Sequence, residues 1–211
     1  GSTSSSLYEV KLGYEKFGGE THAYSVAYDD DEIAEVLANS DKIIFNSISQ
    51  LNRFETAAQN HVRGLRINPG VSTSEFDLAD PARPFSRLGE HDPAEIAAIA
   101  DRISGLMFHN NCENDDFTGP DYPLDRLAMR LKNFAETFGV QVYLEPGEAA
   151  VTGAATLEVT VLDTLHNGKN LAIVDSSIEA HMLDLLIYRE PAKVHPDMGE
   201  HQWMICGKSC L

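Results

Sequence analysis

The chain has 211 residues, 43% hydrophobic and 23% charged, which is globular material sufficient for one large domain or two small ones. Sixteen basic against 33 acidic residues leave a net charge of −17, a balance that disfavours nucleic-acid backbones and anionic membranes and attracts cations such as polyamines. No apolar run approaches the roughly 18 residues of a membrane span, no charged-then-apolar leader opens the chain, and three cysteines without zinc-pair spacing read as free thiols, so a soluble, cytoplasmic protein is the expectation.

Helix and strand signals alternate through the first part of the chain. Ser4, Ser5 and Ser6 can cap a helix through Leu7, Val10, Leu12 and Tyr14 that stops at Gly18-Gly19. Residues 21–28 alternate as a strand does, and Asp29-Asp30-Asp31 opens a short helix with Ile33, Val36 and Leu37 on one face. Residues 42–46 read as a strand, 49–60 as a helix, and 64–68 as a strand ended by Pro69-Gly70. Residues 71–92 carry Ser, Pro and Arg without periodicity and are expected to form a long mobile loop. Asp92-Pro93 starts a helix through Ile96, Ile99 and Ile103, and residues 105–109 read as a buried strand. Residues 123–138 form an amphipathic helix with Leu124, Leu127, Leu131, Phe134 and Phe138 inward, ended by Gly139. Residues 140–144 close the series as a buried strand, which puts Glu145-Pro146-Gly147-Glu148 at its carboxyl end.

This rhythm implies a parallel sheet whose strands are buried on both faces, and the carboxyl edge of such a sheet is where ligands bind. After Glu148 the texture changes. Residues 156–165 alternate, His166-Asn167-Gly168-Lys169 is a hairpin turn, and residues 170–175 return as its partner. Strand-like pieces and one short helix around 178–183 follow. Two domains are expected, residues 1–150 as α/β and residues 151–211 as antiparallel β.

Five stretches together carry a resemblance: Asn46-Ser47-Ile48-Ser49-Gln50-Leu51, Leu106-Met107-Phe108-His109-Asn110-Asn111-Cys112-Glu113, Glu145-Pro146-Gly147-Glu148, Ile173-Val174-Asp175-Ser176-Ser177-Ile178-Glu179-Ala180-His181, and Cys206-Gly207-Lys208-Ser209-Cys210. The chain resembles, over its whole length, the carboxynorspermidine decarboxylases, fold-type III pyridoxal-phosphate enzymes of polyamine synthesis. The resemblance implies an alanine-racemase-like (β/α)8 barrel, incomplete in these residues, followed by a C-terminal antiparallel β domain. Five strands are legible before the β domain, at Thr21, Lys42, Gly64, Gly105 and Val140, whereas a closed barrel needs eight. The resemblance would place a strand with the Schiff-base lysine ahead of Gly1, make residues 1–5 a remnant of the second strand, and put a helix and a strand with a glycine-rich phosphate loop between Phe117 and Thr118. It would also continue the β domain past Leu211, and we expect these segments to belong to the whole protein.

The resemblance also implies the site. Glu145 would hold a proton on the pyridine nitrogen of pyridoxal 5'-phosphate, with Gly147 beside it; read from its residues alone, Glu145 caps a turn. Glu148 stands where ornithine and diaminopimelate decarboxylases carry a phosphate-gripping arginine, a departure that fits the carboxynorspermidine branch and a role toward the substrate. His109 would stack on the cofactor ring with Cys112 nearby; the alternative is a scaffold histidine. A metal site at His109, Cys112 and Glu113 lacks the further ligand that a closed zinc centre requires. Cys210 would protonate the carbon that has lost carbon dioxide, across a dimer interface, since a thiol is a small acid within reach of neutral pH; an inert buried cysteine is the alternative, and Cys206 a lesser candidate. Asp175 would hold the distal amine of the substrate, and Glu179, on the following helix, could join it; a turn aspartate before Ser176-Ser177 is the alternative for Asp175. The function implied is decarboxylation of carboxynorspermidine or carboxyspermidine by a homodimer with shared active sites. A non-catalytic polyamine- or partner-binding relative, and a diaminopimelate- or ornithine-type decarboxylase, stay open as alternatives. Lys11, Lys16 and Lys42 lie in no context that suggests a Schiff base.

Overall fold

The computed structural model describes residues 1–72, 74, 80–109, 123–147, 151, 153–189, 191–197 and 199–209. Cys112, Glu113, Glu148, Cys210 and the Phe117-Thr118 junction therefore lie outside the described residues. The chain divides into two units, Gly1–Ala150 and Val151–Leu211.

In the first unit, β1 (Ser2–Ser4), β2 (Thr21–Ser25), β3 (Lys42–Phe45), β4 (Val62–Arg66) and β5 (Gly105–Met107) lie side by side in chain order, all parallel. The helices between them are α1 (Leu7–Leu12), α2 (Ile33–Ala38), α3 (Ile48–Phe54) and α4 (Pro93–Ala98). Their starts follow capping chemistry. Ser6 accepts the Glu9 N–H, Ser47 accepts the Gln50 N–H, and Asp92 accepts the Ala94 N–H with Pro93 behind it. α1 widens into a π-helical turn, Gly13–Phe17, where a Cβ on Gly13 would meet the Ser2 hydroxyl at 2.4 Å.

Successive residues of a strand point to opposite faces, and the register sorts them. Ala23, Ile43, Phe45 and Leu65 share one face and are fully buried under Val10, Val36, Leu37, Leu51 and Phe54. Each of the larger ones, such as Ile43, Phe45 and Leu65, contributes roughly 1.5–3 kcal/mol by leaving water. The opposite face carries Thr3, His22, Tyr24, Lys42, Ile44 and Arg66. The expectation of strands buried on both faces by apolar residues is thus corrected: one face is a core, and the other is polar.

Three more expectations change. Residues 140–144 join no ladder among the described residues, and Val140, Tyr143 and Leu144 are more than two-fifths exposed; an apolar run becomes a strand only where a neighbour offers it backbone partners. The strand expected at 105–109 is the shorter β5, largely exposed because, among the described residues, β4 is the one neighbour it has in the sheet. α5 (Leu124–Phe138) forms as expected and ends at Gly139 with φ 64°. Its face is not inward, however: Leu124, Phe134 and Phe138 are more than half exposed, and Phe134 and Phe138 pack on each other at 4.7 Å. Periodicity identifies an apolar face without specifying what covers it.

Residues 71–92 contain no helix or strand among the described ones, yet the stretch toward β5 is pinned. Glu90 donates its N–H to the Arg66 carbonyl at 3.0 Å, accepts the Asn68 N–H on its own carbonyl at 2.8 Å, and accepts the Ile48 N–H on its carboxylate at 2.7 Å. Asn68 donates to the Pro81 carbonyl at 2.9 Å. The mobile loop expected there is, from Pro81 to Glu90, a strap across the ends of β3 and β4.

In the second unit, β6 (Val161–His166) and β7 (Asn170–Val174) form the expected hairpin around Gly168 at φ 68°, with Leu165 opposite Leu171. β8 (Trp203–Gly207) adds to β7 in parallel, in the order β6-β7-β8. The sheet is mixed, not antiparallel, because the return passes through α6 (Ile178–His181) and α7 (Leu183–Tyr188) and does not turn back directly.

The strap has one residue with no latitude. Gly89 sits at φ 83°, and a Cβ there would lie 2.7 Å from the Ile67 carbonyl carbon and 2.9 Å from the Asn68 nitrogen. Gly89→Ala is expected to lower stability by about 2–4 kcal/mol, the sum of left-handed strain and a backbone clash, measured as a fall in the urea midpoint. A midpoint unchanged from wild type would show that the strap is not held in this conformation.

Candidate functional site

The polar face of the first sheet is organised in rows set by strand register. Thr3, His22 and Lys42 form one row, since Thr3 is opposite His22 and His22 opposite Lys42. Two residues further along come Tyr24 and Ile44, then Arg66 beside Met107. Residues 143–145 lie against this face through side chains: the Thr3 hydroxyl donates to the Glu145 carboxylate at 3.0 Å, and Lys42 donates to the Tyr143 hydroxyl. A cavity of about 630 Å³ opens beside it, walled by Thr3, Tyr24, Arg66, Met107, His109 and Glu145. The structure therefore brings Glu145 and His109, far apart in sequence, to one cavity.

Arg66 is 6% exposed. Its Nη1 donates to the Tyr24 hydroxyl at 2.6 Å and the guanidinium lies 5.0 Å from the Tyr24 ring centroid. Tyr24 in turn donates a hydrogen bond to Asn46 Oδ1 at 3.0 Å, and the same oxygen accepts the Gly89 N–H while Asn46 donates to the Arg87 carbonyl. Burial raises the Tyr24 phenol above its ordinary range, with the Arg66 charge pulling the other way, so Tyr24 stays a neutral donor. Among the described residues no carboxylate forms an ion pair with Arg66. A buried guanidinium without an acid is costly, and this one is oriented at the cavity wall. His109 adds a second unmet group: its Nε2 is buried without a hydrogen-bond partner among the described residues.

Beside the cavity, Glu20 accepts from Lys42 Nζ at 2.7 Å and from His22 Nε2 at 3.1 Å. The Lys42 hydrogen bond, then that of His22, lowers the Glu20 carboxyl to about 2. Lys42 also lies 4.1 Å from the Tyr143 ring centroid, and His22 meets that ring edge to face at 4.9 Å.

In the second unit the parallel pairing of β7 with β8 gathers polar groups beyond their carboxyl ends. Asp175 accepts the Thr160 N–H at 2.9 Å, and this bond chiefly holds its carboxyl below the ordinary value. Lys208 donates its N–H to the Ser176 carbonyl at 3.0 Å, and Glu179 is lowered first by the Ser209 hydroxyl. Cys206 lies on β8 as a free thiol.

No family model matches the chain. The carboxynorspermidine/carboxyspermidine decarboxylase of Herminiimonas arsenicoxydans is 58% identical over 243 residues, covering 100% of this chain and 67% of the relative. Its aligned stretch exceeds 211 residues, so the relative has internal residues with no counterpart here. The enzyme of the same description from Campylobacter jejuni is 32% identical, again over 100% of this chain and 67% of its own length. The chain belongs to the carboxynorspermidine/carboxyspermidine decarboxylase family.

The crystal structure of carboxynorspermidine decarboxylase from Campylobacter jejuni, complexed with norspermidine, superposes with a TM-score of 0.83 at 32% identity, covering 99% of this chain and 67% of that one. An arginine decarboxylase from Paramecium bursaria Chlorella virus, at 14% identity and TM-score 0.74 over 99% of this chain and 69% of that one, shares the fold. Against this background, the sequence-based site divides. Glu145 and His109 meet at the cavity, and Gly147 follows in the same exposed segment. Asp175 and Glu179 both belong to the second unit, each with partners of its own, while Cys112, Glu148 and Cys210 fall outside the described residues. Sequence reasoning passed over Thr3, Tyr24 and Arg66. Arg66 did leave a signal, a charge between Leu65 and Ile67 inside an apolar strand. Thr3 and Tyr24 left none, because their importance lies in register. Among the described residues no three His, Cys, Asp or Glu side chains converge as metal ligands, and no helix is long and apolar enough to cross a membrane.

The Glu20 cluster has a pH signature. A carboxyl lowered from its ordinary 4.5 to about 2 in the folded state stabilises the fold fully above the unfolded value and loses that contribution as pH falls through the folded one. Glu20→Gln is therefore expected to be less stable than wild type at pH 6, with the gap closing between pH 4.5 and pH 2. Denaturant unfolding of both proteins across that range checks it, and a gap independent of pH would refute the Lys42 pairing.

Proposed function

We propose that this chain forms the core of a fold-type III pyridoxal-phosphate decarboxylase that converts carboxynorspermidine or carboxyspermidine to the corresponding triamine. The observation that carries the reading is the Glu145 carboxylate, held by Thr3, at the wall of the same cavity as His109, whose Nε2 is unsatisfied among the described residues, and Arg66, which has no acid partner among them. An acid, an imidazole and a buried cation around a space of about 630 Å³ suit a flat, anionic heterocycle. The family relationship and the fold supply the reaction class.

When bound, pyridoxal phosphate supplies an electron sink for the pair left behind by the departing carboxylate. Glu145 would keep a proton on the ring nitrogen, with Thr3 orienting the carboxylate. His109 would cover one face of the ring, Gly147 would allow close approach, and Cys112 would lie alongside. Arg66 would meet an anionic group of cofactor or substrate, and its Tyr24–Asn46 support would hold the guanidinium in place without neutralising it. Asp175, Glu179 and Glu148 would hold the cationic amines of the polyamine, as the net charge of −17 favours. Cys210, presented by a second subunit, would return the proton to the carbon that has lost carbon dioxide. The complete barrel, the homodimer and a cytoplasmic setting belong to the same reading.

Glu145→Gln is expected to lower decarboxylation at least about 100-fold, a barrier increase of ~2.7 kcal/mol, while circular dichroism stays that of the wild type. A loss below about tenfold would remove Glu145 from this role. Sharing of the site between subunits is tested by pairing a Glu145→Gln/Cys210→Ala subunit with a wild-type subunit. If the two groups act in trans, both sites of the heterodimer are damaged and activity nearly vanishes; if they act in cis, about half remains.

A further inference from the structure

Asn46 lies where two firmly held pieces of chain meet. It follows the last residue of β3, precedes Ser47, the N-cap of α3, and is 7% exposed. Facing it, the strap is pinned independently through Glu90 to Arg66, Asn68 and Ile48, and at Gly89 it has no room for a side chain. Neither piece can shift to suit the other.

The strap therefore dictates how the amide is turned. A backbone N–H only donates and a carbonyl only accepts, so the Gly89 N–H at 3.0 Å takes Oδ1 and the Arg87 carbonyl at 2.9 Å takes Nδ2. Oδ1 also meets the Tyr24 hydroxyl at 3.0 Å, and an amide oxygen carries no proton to give. Tyr24 must donate to it. The phenol, which burial keeps protonated, then offers only lone pairs to Arg66, a residue with donors alone, whose Nη1 reaches it at 2.6 Å. Each group from Gly89 to Arg66 is left with one permitted role, across three strands, β2, β3 and β4, that pair directly with their neighbours. The series ends on a guanidinium at the cavity wall.

The chemistry at position 46 is accordingly narrow. Aspartate has the same shape, but it lacks an N–H for the Arg87 carbonyl and sets a negative charge one phenol away from Arg66. Leucine offers nothing, and frees the Tyr24 hydroxyl to turn its proton toward a guanidinium that has only protons. We propose that Asn46 is a positioning residue whose amide, oriented by the strap backbone, sets the direction of the Tyr24 hydrogen bond and so aims Arg66, its charge undiminished, at an anionic group of cofactor or substrate. Asn46 touches no reacting atom in this role. The consequence for ligand binding rests on the reading of Arg66 as an anion partner, but the consequence for the place of the guanidinium does not.

The experiment uses the full-length protein with Asn46→Asp, Asn46→Leu, Tyr24→Phe and Arg66→Met, each of the first three also combined with Arg66→Met. Affinity for pyridoxal phosphate, KM for carboxynorspermidine and inhibition by norspermidine, which lacks the carboxylate, are measured for all. Whichever of the first two Arg66→Met weakens, both Asn46 variants are expected to weaken it by about fivefold or more, with Tyr24→Phe in the same direction. None should add to Arg66→Met, because all act through that one side chain. Lost cofactor affinity places the anion on the cofactor, and a raised KM with norspermidine inhibition intact places it on the substrate carboxylate; either supports the proposal. Asn46 variants within about twofold of wild type where Arg66→Met is impaired, losses that multiply with Arg66→Met, or a raised KM matched by lost norspermidine inhibition would overturn it. A crystal structure of Asn46→Leu, or of Tyr24→Phe if the first does not fold, reads the guanidinium directly: displacement by about 1 Å or more supports the proposal, and an unmoved guanidinium sinks it. Should Arg66→Met change no measured affinity while the guanidinium is displaced in that structure, the anion assignment fails and the positioning role stands.

Discussion

The strict alternation of a parallel strand is the constraint on which the first unit depends. Burying Ala23, Ile43, Phe45 and Leu65 beneath the helices leaves Thr3, His22, Tyr24, Lys42 and Arg66 no choice of side. Several kcal/mol of apolar burial on one face thus set the place of polar groups on the other, and no one of those polar groups could offset the cost of turning a strand over. Chemistry at the cavity is positioned by packing that never touches it.

Within that frame the polar groups divide into satisfied and unsatisfied. Glu20, His22, Lys42 and Tyr143 form a closed set in which each charge has a partner, and they hold chain to chain. Arg66 and His109 are different. Arg66 leans on a neutral phenol, and His109 buries a nitrogen with no hydrogen-bond partner among the described residues. A fold tolerates such groups where a ligand completes them, because the same desolvation that makes them costly alone makes their pairing with an anion or a ring strong. The strap at Gly89 and Glu90 extends this logic, since it holds Asn46 and, through it, the phenol that supports Arg66.

Much of this was legible in the residues. Serines and an aspartate ahead of apolar periodicity mark the starts of α1, α3 and α4, and the glycine in His166-Asn167-Gly168-Lys169 marks the β6–β7 hairpin, because caps and turns are decided by neighbours in the chain. Glu145 and His109 were legible as candidates through the motifs around them. Thr3 and Tyr24 were not, since a threonine and a tyrosine on a strand say nothing about which row of a sheet they will occupy. Among the described residues 140–144 join no ladder and the apolar face of α5 stays exposed for one reason: hydrophobicity records a preference for burial but does not supply the partner.

By itself the sequence determined the order and type of the local elements, the acidic balance, and the membership that its motifs announce, all properties carried by short stretches of chain. Tertiary structure alone decided that Glu145 is held by Thr3 and stands at one cavity with His109, that Arg66 faces that cavity with no acid partner among the described residues, and that β8 runs parallel to β7. Those outcomes depend on register between segments separated by many residues. Register is an energetic choice of the whole sheet, in which one face must be buried, and no local pattern contains it.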